Sequence, residues 1–301
     1  MSKKIHTDLA MEAHELWKKD SDQTTKLSGV EAYDEAHGGF RINTVRILDE
    51  RGSDTLGKPV GTYITLQLDG LINRQENAFS TAAELLSQQL RGLIKLPVFS
   101  SFLVAGLGNN AITPDAIGPE TLRSILVTRH LKTRVPEAFA GFKDVAAVQS
   151  GVLGTTGIES ADIISSVCSR LNPDVVIAID ALASLRTDRL CRTVQISDTG
   201  IVPGSGVGNT RSALNQDTLG IPVIAIGVPT VVDAATMAAE LVSNAGITLP
   251  EDASFGENAD LIVTPRDIDS NVRDISKIIG YGINLALHDG LTIEDIDMFL
   301  G

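Results

Sequence analysis

The sequence is poor in cysteine, in long apolar runs and in positive charge, and each shortage excludes a class of protein. Its 301 residues include two cysteines, Cys168 and Cys191, in no C-x-x-C or zinc-ligand spacing, so neither a disulfide framework nor a cysteine metal site is expected. No segment approaches the length of a transmembrane span, and the first residues lack the apolar run of a secretory signal. We therefore expect an intracellular protein that does not contact the membrane.

Basic side chains are outnumbered by acidic ones. The chain has 25 lysines and arginines against 38 aspartates and glutamates, which gives a net charge of −13. This charge repels a phosphate backbone, so direct nucleic-acid binding is not expected, whereas a basic protein substrate would be attracted. The histidines also lack metal-binding spacing, so no zinc site is predicted; they are His6, His14, His37, His130 and His288.

What the sequence does contain is an alternation of apolar strands with amphipathic helices. Short apolar runs typical of strands covered on both faces occupy residues 101–106, 175–179, 221–226 and 261–263. Helical spacing of apolar residues marks 76–91, 158–171, 233–244 and 267–288. This order predicts βαβ units, and hence a single α/β domain with a mostly parallel sheet and helices on both faces.

The N-terminal third has a different pattern. Residues 9–19 have helical periodicity, with Asp8 as a candidate N-cap. Residues 40–48 and 61–68 alternate as strands with one wet face do, which predicts an antiparallel pair at the sheet edge. The glycines and proline of 51–59 predict a turn or hairpin loop between them, and 21–39 is polar and punctuated.

The loop that starts at Gly106 allows a nucleotide-binding interpretation. Its sequence fits the G-x-G-x-x-G/A fingerprint after a strand, so a nucleotide-dependent oxidoreductase is an alternative function. Against this, Thr113 as N-cap and Pro114 at the first helical position predict a later helix start. Residues 127–134 also lack the acidic side chain that would bind a ribose. A binding protein with a degenerate site is a third possibility.

Two aspartates follow predicted buried strands. Asp180 directly follows 175–179, and Asp115 lies in the loop after 101–106. If these strands are neighbours, both carboxylates face the crevice beyond the carboxyl ends of the strands. Such a pair can share one proton, so that the ionised member activates water and the protonated member polarises a carbonyl. Either residue could instead be a cap or a turn residue.

Long blocks of the chain resemble the spore germination endopeptidase family. They begin with the loop from Gly106 to Pro119 and continue through 127–130, 151–159, 178–184, 195–200, 203–209 and 220–233. The resemblance implies an atypical aspartic endopeptidase of the spore cytoplasm that initiates degradation of small acid-soluble spore proteins during germination. It also implies a zymogen, a homotetramer, a fold similar to that of hydrogenase maturation peptidases, and no cofactor or metal.

The resemblance also assigns residues. Asp115 and Asp180 match the two essential aspartates, and Asn109 with Gly106 and Gly108 would shape the crevice. Asp198 begins an Asp-Thr-Gly triplet of the kind found in pepsin-like proteases. Those sites lie in all-β lobes, so Asp198 is a candidate of second rank.

The N-terminus itself resembles a substrate of this family, whose members cleave after an acidic residue that precedes a hydrophobic residue and then alanine. Asp8, Leu9 and Ala10 fit that order. We therefore predict self-cleavage between Asp8 and Leu9, with residues 1–8 as propeptide and 9–301 as the peptidase domain. Candidate cations for an acidic substrate side chain are Arg129, Arg186 and Lys143.

Overall fold

The computed structural model describes residues 7–20, 27–94, 101–204, 211–247 and 261–301. Within these ranges the strands are β1 (Val30–His37), β2 (Phe40–Ile47), β3 (Gly61–Gln67), β4 (Ser101–Leu107), β5 (Asp144–Gly151), β6 (Val175–Ser184), β7 (Thr193–Ser197), β8 (Val223–Asp233) and β9 (Ile262–Val263). Of the predicted propeptide, only residues 7 and 8 are among those described.

The helices of the same ranges alternate with these strands. They are α1 (Ala10–Asp20), α2 (Glu50–Leu56), α3 (Asp69–Ile72), α4 (Ala78–Leu93), α5 (Ile117–Leu122), α6 (Arg129–Arg134), α7 (Leu153–Thr156), α8 (Ser160–Leu171), α9 (Gln216–Leu219), α10 (Ala234–Asn244), α11 (Ile268–Leu287) and α12 (Ile293–Leu300). Single turns of 3-10 helix occupy Thr113–Asp115 and Thr187–Arg189. None of these described helices is long and apolar enough to cross a membrane.

The strands form one sheet with two unlike halves. Their order is β1-β2-β3-β7-β8-β6-β4-β5, and β9 pairs with β8. In the parallel half, β5, β4, β6 and β8 all run in the same direction. In the antiparallel half, each of β7, β3, β2 and β1 opposes its neighbours. The predicted α/β class, with added antiparallel strands from the N-terminal third, is confirmed.

Helices cover both faces of the parallel half. Alternate residues of β6 point to opposite faces, so Val175, Ile177 and Ile179 join the core beneath α4, α5 and α11, whereas Val176 and Ala178 pack towards α8. All five side chains are buried. Covering both faces removes any need for polar residues at alternate positions, which is why this strand appears in the sequence as one apolar run.

The predicted hairpin loop at 51–59 is wrong, because residues 50–56 form helix α2. The Asp49 carboxylate caps its N-terminus by accepting a bond from the Gly52 N–H at 3.1 Å. Gly57 ends it in a left-handed conformation, with φ of 64°. Leu56 packs against Val45 in a small core shared with α1. Capping and burial of one leucine thus outweigh the low helix propensity of an internal glycine.

Several strands were not predicted. Residues 30–37, within the stretch described from sequence as polar and punctuated, form the edge strand β1, which is paired along its length with β2. Nearly all its side chains are exposed, so it carries no buried apolar face to recognise. β5 and β7 were also absent from the sequence prediction, although β7 alternates polar and apolar residues.

Candidate active site

The sequence suggested that Asp180 follows a strand, but Asp180 lies within β6. The strand continues to Ser184 because its second half remains paired with β8. The Asp180 side chain is 5% exposed, and its Oδ1 accepts a hydrogen bond from the Ala181 N–H at 2.9 Å. Burial strongly disfavours the ionised carboxylate and raises the pKa of Asp180 well above its ordinary value.

Asp115 ends the 3-10 turn that connects β4 to α5. Pro114 lies in the first turn of this helix, as expected. Ile112 occupies the N-cap position and Thr113 is the first helical residue, so the prediction of Thr113 as N-cap is wrong. The turn is fixed from two sides. The Thr230 hydroxyl of β8 donates to the Pro114 carbonyl at 2.6 Å, and the Asn109 N–H donates to the Asp115 carbonyl at 3.0 Å.

Gly106 and Gly108 allow backbone segments to approach where a side chain would not fit. A Cβ at Gly106 would lie 2.7 Å from the carbonyl oxygen of Gly118 in α5. Gly108 has a φ of 102°, and a Cβ there would lie 2.1 Å from the carbonyl oxygen of Asp115. Asn109 closes the loop through its Oδ1, which accepts from the Ala111 N–H at 3.0 Å. These residues therefore place Asp115 against the end of β4.

The two carboxylates face one cavity. β4 and β6 are hydrogen-bonded neighbours, and a cavity of about 400 Å³ is lined by both Asp115 and Asp180. Burial raises the pKa of Asp115 to about 6, while the Asn109 N–H and Arg211 oppose that rise. For Asp180, the charge of Asp115 adds to the effect of burial. Asp115 thus ionises first, and Asp180 then resists losing its proton.

This order of ionisation gives the two residues different chemical capacities. Above a pH of about 6, the pKa of Asp115 favours its ionised form, whereas burial and the charge of Asp115 raise the pKa of Asp180 and favour its protonated form. One cavity then offers a base and an acid together. A pair with pKa values pushed apart by burial and mutual repulsion is suited to activating water against a carbonyl group.

A cation at the cavity was missed from the sequence. Arg211 is one of the lining residues, and its charge lowers the pKa of both aspartates. The predicted donors Arg129, Arg186 and Lys143 are not among the described residues that line this cavity. Arg129 and Arg186 each pair with an aspartate, at 2.9 and 2.6 Å. Arg211 lies two residues beyond the block at 203–209 that resembles the family, and no spacing in the sequence distinguished it. Residues 205–209 of that block fall outside the described ranges.

Asp198 lies apart from the carboxylate pair. Its side chain is exposed at the end of β7, and its Oδ1 accepts from the Thr62 N–H at 2.7 Å. It is not among the described lining residues of the cavity. The Asp-Thr-Gly triplet therefore connects β7 to β3, and the structure does not bring Asp198 to Asp115 and Asp180.

The start of the described chain reaches the same cavity. Asp8 lines it, and its charge further raises the pKa of Asp180. Two hydrogen bonds join it to β6, since the Asp8 N–H donates to the Ala183 carbonyl at 3.2 Å and the Ala183 N–H donates to the Asp8 carboxylate at 2.9 Å. Leu9 is fully buried. The residue before the bond predicted to be cut thus lines the same cavity as the carboxylate pair.

The histidines of the described ranges have other surroundings. His14 stacks on Trp17 with ring centroids 6.3 Å apart. His288 is buried and accepts a bond from the Lys143 N–H at 3.3 Å, and burial lowers its pKa to about 4. Among the residues that the structure describes, no three His, Cys, Asp or Glu side chains are grouped to hold a metal ion. His6 lies outside the described ranges.

The fold and the cavity define an α/β protein with an acid–base pair of carboxylates. A family model described as Germination protease matches residues 10–245. The germination protease of Caldanaerobacter subterraneus subsp. tengcongensis is 44% identical, with 98% of each chain covered. That of Clostridium tetani is 40% identical over 98% of this chain and 99% of its own. The chain belongs to the germination protease family and is a protease of spore germination.

Two further proteins are less similar to this chain in sequence. The germination protease of Bacillus pumilus is 37% identical, with 98% of this chain and 96% of its own covered. Among solved structures, a [NiFe] hydrogenase maturation protease HycI from Thermococcus kodakarensis KOD1 matches 65% of this chain and 98% of its own, at 15% identity and a TM-score of 0.35. A TM-score this low carries no argument. Family membership decides against the nucleotide-dependent oxidoreductase.

Proposed function

We propose that the chain is an endopeptidase in which Asp115 and Asp180 form an aspartic catalytic dyad. One observation carries the proposal: two buried carboxylates face a single cavity, and their pKa values are raised by unequal amounts. In this proposal Asp115 is the base and Asp180 the acid. This assignment follows from the order in which the two groups lose their protons.

In the proposed reaction, water attacks the carbonyl carbon of the peptide bond. Asp115 takes a proton from the water as the new C–O bond forms, and Asp180 gives its proton to the carbonyl oxygen. The tetrahedral intermediate then collapses and the C–N bond breaks. The leaving nitrogen takes the proton held by Asp115, and the hydroxyl proton returns to Asp180, so the dyad regains its initial state.

The proposed substrates are small acid-soluble spore proteins, cut after Glu or Asp where a hydrophobic residue and then alanine follow. Support comes from family membership and from Arg211, a cation beside the dyad that suits an acidic side chain. We extend to this chain the homotetramer and the location in the spore cytoplasm that the family resemblance implies. Size-exclusion chromatography with light scattering tests the tetramer.

We further propose that the chain is made as a zymogen and cuts itself between Asp8 and Leu9. Support comes from the hydrogen bonds that hold Asp8 to β6 within the dyad cavity. Residues 1–8 would then leave and free that part of the cavity. Mass spectrometry of the chain after activation tests this step, and an intact N-terminus in a preparation that cleaves peptides would contradict it.

A peptide assay tests the dyad. The wild-type chain should cleave a peptide containing Glu-Ile-Ala after the glutamate, and the Asp115→Asn and Asp180→Asn variants should not. Asp198→Asn is the matched control, because it makes the same change at an exposed aspartate outside the cavity. Full cleavage by either dyad variant would refute the assignment, whereas loss in all three would point to a folding defect visible in thermal melting.

A further inference from the structure

Residues 7–10 cross the sheet between β6 and β7, and both strands hold them by hydrogen bonds. On the β6 side, Ala183 bonds to Asp8. On the β7 side, the side-chain amide of Gln195 uses both of its polar atoms. Its Nε2 donates to the Asp8 carbonyl oxygen at 3.1 Å, and its Oε1 accepts from the Ala10 N–H at 2.8 Å. The amide therefore brackets the peptide bond between Asp8 and Leu9.

The sheet register places Gln195 on the same face of the sheet as Asp180. Asp180 of β6 and Gln195 of β7 both pair with Gly227 of β8, and residues paired across a sheet project from the same face. The side chain of Leu182, two residues after Asp180 on β6, lies over Gly227, since a Cβ at Gly227 would be 2.3 Å from the Leu182 Cδ1. Two strand spacings, about 9 to 10 Å, separate their backbones. Asp8 reaches the dyad cavity from β6, where its carboxylate accepts from the Ala183 N–H.

The hydrogen bonds of Gln195 to Asp8 and Ala10 lie in a buried environment. The side chain is 7% exposed, and the segment it binds is buried too, with Leu9 and Ala10 at 0%. Lys58 steadies the preceding residue, since its Nζ donates to the Thr7 carbonyl at 2.6 Å. Hydrogen bonds in such a water-poor site are directed at fixed positions, which is the condition under which a donor stabilises developing charge.

We propose that Gln195 is a catalytic residue for self-processing, and this inference rests on the proposed cleavage between Asp8 and Leu9. Its Nε2–H₂ donates to the carbonyl oxygen of the bond that is cut, and the hydrogen bond strengthens as that oxygen gains negative charge. Its Oε1 holds the Ala10 N–H and so fixes the register of the chain. Gln195 transfers no proton, because Asp115 and Asp180 carry out both transfers.

The burial of Ala10 also has a consequence for substrate specificity. Its N–H is bound by Gln195, and its methyl group has no exposed surface. A larger side chain at this position would have to displace its packed neighbours. The clamp thus favours alanine at the second position after the cut bond.

The experiment measures the rate of self-processing of the full-length chain by intact mass spectrometry. We expect Gln195→Glu, which removes the donor, and Gln195→Met, an apolar side chain of similar shape, to slow processing by roughly 10²- to 10³-fold, as loss of an oxyanion donor does in other hydrolases. The matched control is Gln67→Glu in the neighbouring strand β3, where the glutamine is also 7% exposed. Thermal melting of each variant separates folding from chemistry.

The outcomes separate this inference from the proposed dyad. Wild-type processing rates in a folded Gln195→Met variant would overturn the role of Gln195, and so would a wild-type chain that cleaves peptides but leaves its own Asp8–Leu9 bond intact. Neither result would affect the dyad. Processing by Asp180→Asn at the wild-type rate would instead refute the dyad. Equal slowing of the Gln67→Glu control would show that any buried change on this face has the same effect, and would also overturn the inference.

Discussion

The two halves of the sheet contribute different chemistry to one site. In the parallel half, β6 leads to Asp180 through five buried apolar residues, so its carboxyl group enters an apolar environment that favours its protonated form. In the antiparallel half, β7 alternates apolar residues with buried uncharged polar ones, namely Thr193, Gln195 and Ser197. Uncharged amides and hydroxyls bind a peptide backbone without a charge of their own to desolvate. In the proposed reaction the parallel half supplies Asp180 for proton transfer, while both halves bind residues 7–10, β6 through Ala183 and β7 through Gln195.

The boundary between the halves is where a substrate-like segment can lie. β8 is parallel to β6 and antiparallel to β7, and the Leu182 side chain of β6 lies over its Gly227. Helix α8 covers the sheet on one side of this boundary and α1 on the other. Residues 7–10 occupy the intervening space. A change in strand direction thus coincides with the gap in helix cover where the cavity forms.

The largest expected effect is loss of activity when the charge chemistry of the parallel half is removed. Asp180→Asn eliminates the acid of the proposed dyad, and we expect peptide cleavage to fall by roughly 10³-fold, within the range for loss of a general acid or base. Folding should not suffer. The pKa of Asp180 is raised in the folded chain, so the carboxyl group costs stability as pH rises above its ordinary value near 3.8.

Thermal melting at several pH values checks that sign. Below the unfolded-state pKa the wild-type carboxyl group is protonated in both states and imposes no cost. As pH rises towards the folded-state pKa, only the unfolded chain ionises, and stability declines. The Asp180→Asn variant should show a smaller decline, to which Asp115 with its raised pKa still contributes, and should melt no lower than wild type at pH 7. A lower melting temperature there would mean that the ionised carboxylate is stabilising, contrary to its burial.

A second, smaller effect tests how firmly the N-terminal segment is joined to the parallel half. Glu12 is 1% exposed, and its carboxylate accepts from the Leu185 N–H at 2.9 Å and the Arg186 N–H at 3.2 Å. Glu12→Ala leaves both N–H groups without this acceptor, and we expect a loss of about 2 to 3 kcal/mol in the free energy of unfolding. Chemical denaturation measures it.

The control for Glu12 lies on the same helix. Glu15 bonds to Arg189 at 2.9 Å, but its side chain is 36% exposed. Glu15→Ala should therefore cost less than Glu12→Ala, because Glu15 is partly solvated and Asp188 remains 3.7 Å from the Arg189 guanidinium. If both variants lose equal stability, the attachment of α1 does not depend on the buried carboxylate.

The same contrast explains which features the sequence allowed us to predict. In strands covered on both faces, a lone aspartate such as Asp180 is conspicuous, and β4 and β6 were located by their apolar runs. The condition that these strands be neighbours was stated but could not be tested, because strand order depends on contacts distant in sequence. Gln195 did not stand out, since alternating polar residues are normal in an antiparallel strand.

Other errors have local physical causes. The helix at 50–56 was predicted as a turn or hairpin loop because residues 51–59 contain two glycines and a proline, and the composition does not reveal that Asp49 caps a helix. β1 was missed because its exposed side chains impose no apolar period. The N-cap expected at Thr113 was displaced because the chain makes a 3-10 turn before α5, and the hydrogen bond from Thr230 to the Pro114 carbonyl that fixes this turn is tertiary.

A third effect concerns Asp115, the proposed base, and is a change of about tenfold in kcat/KM per pH unit. Because Asp115 acts in its ionised form and its pKa is raised to about 6, peptide cleavage should rise with pH up to about 6 and then level off. Arg211 lowers the pKa of Asp115, so Arg211→Gln should move this rise to higher pH. The measurement is kcat/KM against pH. Arg123→Gln, at an exposed arginine paired with Glu120, is the control and should leave the profile in place; a shift to lower pH in Arg211→Gln would contradict the electrostatic order.

The smallest expected effect tests whether the antiparallel half takes any part in proton transfer. Asp198→Ala removes the acceptor for the Thr62 N–H, and we expect a loss of about 1 kcal/mol in the free energy of unfolding from that hydrogen bond. Peptide cleavage should stay at the wild-type level, because the exposed Asp198 is separate from the cavity. Denaturation and the peptide assay together measure both quantities. A loss of cleavage comparable to that of Asp180→Asn, with stability intact, would move a catalytic carboxylate into the antiparallel half, so the two halves would no longer divide the chemistry between them.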